Sequence, residues 1–154
     1  MRPASLIALP VLLILGSFAA AQEGLITKPS AYSVSVTLDR LEAALKERGL
    51  TIFARLDHAA AAAAVGLKMP ASTVLVFGNP RLGTPVFVQK PTLAVDLPLK
   101  ALVYEDASGK AWVSYNSAEY LFNTIYGRHG APVNPEATAG TTKVLTETTD
   151  AAVK

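Results

Sequence analysis

Asp57-His58 is the most chemical-looking pair in this chain, because a histidine at a helix start on a sheet rim can act as a base or a ligand. The plainer reading is that Asp57 caps the following helix and His58 merely sits beside it. A second constellation is Phe77-Gly78-Asn79-Pro80-Arg81-Leu82-Gly83-Thr84-Pro85, whose backbone N–H groups and Arg81 could face an anion. It has the spacing of neither a phosphate loop nor a dinucleotide fingerprint, so a structural turn competes with the anion reading. A third is Asp96-Leu97-Pro98-Leu99-Lys100 with Tyr115-Asn116. A lysine near an aromatic can serve chemistry if burial lowers its pKa, or it can simply form a cation–π pair at the sheet rim. Gly-x-Ser-x-Gly, His-Glu-x-x-His and cysteine are all absent, and His58 and His129 stand far apart, which argues against a preformed metal site.

The elements that must position these groups follow from periodicity. Alternation of Tyr32, Val34 and Val36 with Ser33 and Ser35 predicts a strand over 31–36. Thr37 then caps a helix over 38–48, with Leu38, Leu41 and Leu45 on one face and Gly49 as its stop. A strand over 50–56 ends at Asp57, which caps a short alanine helix over 59–64, and a strand over 72–77 runs into Gly78-Asn79-Pro80. Four prolines between 80 and 98 predict a long ordered loop with room for one helical turn. A hairpin of 99–105 and 110–115 around Asp106-Ala107-Ser108-Gly109 would set Glu105 opposite Lys110, Val103 opposite Trp112 and Lys100 opposite Tyr115. That register puts Lys100 and Tyr115 on one face. Asn116 and Glu119 resemble a capping box for a helix over 116–126. From 131 to 154 the composition of Pro, Thr, Ala and Gly predicts a mobile tail, with at most a weak helix around 143–153.

Composition adds an address and several exclusions. Arg2, the apolar run 6–21 broken by Pro10 and Gly16, and the ending Ala19-Ala20-Ala21 read as a signal peptide over 1–21, so the chain is expected to be exported to a periplasm or the exterior. The run is too short for a stable membrane anchor. With no cysteine, the remaining domain, 22–130, must be stabilised by apolar burial without disulfides. A net charge of +2 with cations scattered among acids gives no footprint for nucleic acid.

Phe53-Ala54-Arg55-Leu56-Asp57-His58-Ala59-Ala60, Val76-Phe77-Gly78-Asn79-Pro80 with Gly83-Thr84, Asp96-Leu97-Pro98-Leu99-Lys100, and Trp112-Val113-Ser114-Tyr115 with Arg128-His129-Gly130 together resemble the domain of unknown function 302 family over roughly 31–130. The resemblance implies an α+β fold of order β-α-β4-α, and homodimers, but no established activity. The expected architecture is an antiparallel sheet with two main helices on one face and an alanine-rich helical insertion after the second strand. Where the family commonly has methionine after the Gly-Thr pair, this chain has Phe87.

These readings favour a non-catalytic domain without a cofactor that binds a small apolar or amphipathic ligand or a protein partner. Its candidate contacts are Asp57, His58, Asn79, Arg81, Thr84, Asp96, Lys100 and Tyr115. The alternatives are an enzyme with His58 as general base and Lys100 or Tyr115 stabilising charge, and a metal or haem accessory protein using His58. In the binding reading His58, the 79–84 loop and the Lys100–Tyr115 rim converge on one concavity.

Overall fold

The computed structural model describes residues 23–154, and the signal peptide read over 1–21 lies outside the described residues. Five strands, β1 (Leu25–Pro29), β2 (Thr51–Asp57), β3 (Ser72–Gly78), β4 (Leu99–Glu105) and β5 (Ala111–Asn116), form one antiparallel sheet in the order β1-β5-β4-β3-β2. Alternation along β3 and β4 buries Leu75, Phe77, Ala101 and Val103 on one face. Two helices cover that face, α1 (Val34–Glu47) and α4 (Pro135–Val153). Val34, Leu38, Leu41 and Leu45 repeat at the helical period and meet the sheet together with Leu145, Ala152 and Val153. Leu41, Leu45, Leu75 and Phe77 are fully buried, and each contributes about 1.5–3 kcal/mol by removal from water.

The expected α+β class and β-α-β4-α order hold, but the second main helix beside α1 is α4, not the helix expected over 116–126. Several elements depart from the sequence reading. The segment 31–36 is not the first strand: Ser33 caps α1, its Oγ accepting from Val36 N at 3.4 Å, and the 3.6-residue apolar repeat prevails over the short alternation. Thr37 lies inside that helix, its hydroxyl donating to Ser33 O at 2.8 Å. The stretch 80–98 is not mainly loop but α3 (Pro80–Gln89) followed by a 3₁₀ helix (Pro91–Val95). Pro80 sits in the first turn where no N–H is needed, and Pro85 removes one donor without ending the helix. The helix expected over 116–126 starts after Ser117, whose Oγ accepts from Tyr120 N at 3.1 Å, and is π-helical over Tyr120–Tyr126. Asn116 belongs to β5 rather than to its cap.

The predicted flexible tail 131–154 is corrected by α4. Asn134 caps it, accepting from Glu136 N at 2.9 Å, and Pro135 occupies the first turn. Its threonines return their hydroxyls to the helix: Thr148 donates to Val144 O at 2.8 Å and Thr149 to Leu145 O at 2.6 Å, so both can be buried. Arg40 of α1 satisfies the terminal carbonyls of Ala151 and Ala152 at 2.7 and 3.2 Å. Lys28 of β1 pairs with Asp150 at 2.6 Å.

The β4–β5 register is also shifted by one from the expected pairing. Asp106 accepts from Ser108 N at 2.8 Å and Lys110 N at 3.1 Å, which draws Lys110 into the turn. Ala101 therefore faces Tyr115, Val103 faces Val113 and Glu105 faces Ala111. On the side away from α1 and α4, the sheet exposes a second face carrying Leu25, Leu56, Val74, Leu102 and Tyr104.

Candidate functional site

An antiparallel hairpin sends its two strands out at opposite ends, and this decides where the sequence-predicted residues stand. Asp57 pairs with Thr73, whereas Gly78 pairs with Thr51, so the exits of β2 and β3 are separated by roughly 16 Å of strand at about 3.3 Å per residue. Asp57 caps α2 (His58–Ala64), accepting from Ala60 N at 2.9 Å, and His58 is exposed at that end. Asn79, Arg81 and Thr84 stand at the other end: Asn79 caps α3, accepting from Arg81 N at 3.0 Å, and the other two are exposed on that helix. The expected convergence of His58 with the 79–84 segment is therefore corrected.

Asp96 and Lys100 do come together where the chain enters β4. The Lys100 ammonium donates to the backbone carbonyls of Asp96 at 2.9 Å and Pro98 at 3.1 Å. Tyr115 does not join Lys100 on one face. It is buried under α4, its hydroxyl 3.4 Å from Thr149 Oγ1, with the Lys28 ammonium 5.7 Å from its ring centroid. The trio His58, Lys100 and Tyr115 is thus divided between two ends and two faces of the sheet.

Beside Asp96 lies a cluster that sequence reasoning missed. His129 Nε2 is 2.6 Å from Asp96 Oδ2, and Nδ1 is 3.0 Å from Thr92 Oγ1. The His129 side chain is only 9% exposed, and Arg128 Nε lies 3.5 Å from the same carboxylate oxygen. The hydrogen bond from His129 holds the Asp96 carboxyl below its ordinary range, with the Arg128 charge acting in the same direction. Three segments are joined here: the 3₁₀ helix, the approach to β4 and the turn after the π-helix. The only sequence signal was Arg128-His129-Gly130 itself, because its partners lie more than thirty positions upstream. Among the described residues, no group of three or more His, Asp or Glu side chains is placed to hold a metal ion.

Two concave regions meet at this end of the sheet. A small cleft of about 30 Å³ lies among Leu97, Pro98, Leu99, Leu121 and Ile125. Over the open face is a concavity of about 340 Å³ floored by Leu25, Val74, Leu102 and Tyr104, with Ser114 on its polar side. Lys100 and Asn116 line both. Tyr115 also borders the larger one, although its hydroxyl reaches α4 on the other side. Trp112, next to Tyr104 across the strands, donates its indole N–H to Asp106 at 2.7 Å.

Comparison with known proteins places this geometry in a family. The model of the domain of unknown function DUF302 matches residues 26–148, a span that takes in β1 and most of α4 beyond the motif-bearing stretch. The fluoride-specific ion channel FluC 1 of Brucella suis biovar 1 (strain 1330) is 42% identical over 98 residues, covering 64% of this chain and 39% of that protein. FluC 1 of Brucella abortus biovar 1 (strain 9-941) is likewise 42% identical, with 64% of this chain and 36% of the relative covered. The chain thus spans less than two fifths of the length of these relatives, and no helix among the described residues is long and apolar enough to cross a membrane. A crystal structure of an uncharacterized conserved DUF302 protein from Bacillus stearothermophilus superposes with a TM-score of 0.71 at 21% identity, over 85% of this chain and 99% of that one, and so shares the fold. With a family match running from the first strand into the last helix, the chain belongs to the DUF302 family.

Proposed function

We propose that this chain is an exported domain whose open sheet face is a non-catalytic binding surface for an anionic amphipathic small molecule. The observation that carries this reading is the concavity of about 340 Å³, a size suited to a small ligand. Leu25, Val74 and Leu102 would contact the apolar body, and Lys100 is the one charged residue among those lining the space. Two of the three ammonium donors of Lys100 are engaged by the carbonyls of Asp96 and Pro98, which leaves the third for a carboxylate.

Export is supported by Arg2, the apolar run and the Ala19-Ala20-Ala21 ending. Leu82 and Val88, both largely exposed on α3, support a homodimer that would shield them. The test is a titration of the protein with decanoate below its micelle concentration, followed by fluorescence of Trp112, the single tryptophan. Saturable binding is expected, weakened about tenfold in K100Q by loss of one charge-assisted hydrogen bond. Absence of saturation, or equal binding of decanol and decanoate, would overturn the proposal.

A further inference from the structure

We propose that Thr92, His129 and Asp96 form an acyl-transfer centre, with Thr92 as nucleophile, His129 as general base and Asp96 as the residue that positions the base. The proton on the ring decides which nitrogen is the base. Asp96 Oδ2 can only accept when ionised, so its 2.6 Å contact fixes the proton of neutral His129 on Nε2. Nδ1 is then a lone pair, and the group 3.0 Å away is the Thr92 hydroxyl, which donates to it. That is the order a hydroxyl nucleophile requires: hydroxyl, base, orienting carboxylate.

Exposure fits the three roles. Thr92 is exposed on the 3₁₀ helix, where a substrate can reach it, while the His129 side chain behind it is nearly buried. A Cβ placed on Gly130 would lie 3.6 Å from Lys90 Nζ, which puts that ammonium beside the His129–Gly130 backbone. The substrate class is an activated carboxylic ester. Thr92 Oγ bonds to the carbonyl carbon as its proton passes to His129 Nδ1. The bond to the leaving alkoxide then breaks, and the alkoxide takes that proton. Water completes the cycle: it gives a proton to Nδ1, attacks the threonyl ester, and releases the acid while Thr92 regains its hydrogen.

The probe is p-nitrophenyl acetate, with p-nitrophenolate release followed by absorbance and the acylated residue located by peptide mass spectrometry. An acetyl group on Thr92 is expected, retained in T92S and lost in T92V with the melting temperature unchanged. Acylation should fall about 10²- to 10⁴-fold in D96N. In that variant the amide donates to Nε2, which moves the ring proton to Nδ1 and removes the base. D96E, which keeps an ionised acceptor for the Nε2–H, should recover part of the rate lost in D96N. Acetylation confined to lysines, or T92V acylated at the wild-type rate, would overturn the proposal.

Discussion

Replacing Leu145 with alanine tests whether α4 is part of the core. Leu145 is 4% exposed and belongs to the cluster that includes Leu41 and Leu45 of α1 and Leu75 and Phe77 of the sheet. Cutting a side chain this deeply buried removes its transfer free energy and leaves a cavity between the helices, at a cost of about 2–5 kcal/mol. For a domain of this size a loss of about 3 kcal/mol lowers the melting temperature by roughly 10 °C. The assay is thermal unfolding followed by far-ultraviolet circular dichroism, with K143A as the control because Lys143 is exposed on the same helix. K143A should stay within about 0.5 kcal/mol of wild type. If L145A melts with wild type, the docking of α4 is wrong and 131–154 is the mobile tail its composition suggests.

Other consequences concern acid, assembly and processing. The Ser108 hydroxyl, the Trp112 indole and the Lys110 N–H hold the Asp106 carboxyl far below its ordinary range. Its stabilising contribution is therefore complete above the unfolded value of about 3.9 and is lost as pH falls through the depressed folded value. Thermal melts should show D106N losing less stability than wild type between about pH 4 and pH 2; parallel acid limbs would refute this. Light scattering at micromolar concentration should give a dimer mass, and substituting Leu82 and Val88 together with serine should yield monomer; a monomer for the unsubstituted protein rejects the assembly. Amino-terminal sequencing of mature protein should begin at or within a residue or two of Gln22, and intact Met1 in a membrane fraction would exclude cleavage.

The helical repeat of Leu38, Leu41 and Leu45, the cap at Asp57 and the apolar run of β3 were legible because each is a local signal. The edge strand β1 was not, since five residues beginning at Leu25 have little pattern of their own and gain a partner only by pairing with β5. Helix α4 was hidden by threonines, which read as polar until their hydroxyls are returned to the preceding turn. The hairpin register turned on a single side chain, Asp106, and one residue of slip put Lys100 and Tyr115 on opposite faces. The candidate site was legible in half: Asp96 and Lys100 were recognised, but the pairing of Asp96 with His129 and Thr92 is long-range and left no spacing to read.

The claim that the open sheet face is the binding surface is tested most directly by methyl resonances of leucine- and valine-labelled protein during addition of decanoate. The methyls of Leu25, Val74 and Leu102, which line the concavity, should shift along saturating curves, while those of Leu41 and Leu45 on α1 and Leu75 in the core beneath it stay in place. Unmoved Leu25, Val74 and Leu102 resonances, or shifts confined to Leu82 and Val88 on α3, would contradict it.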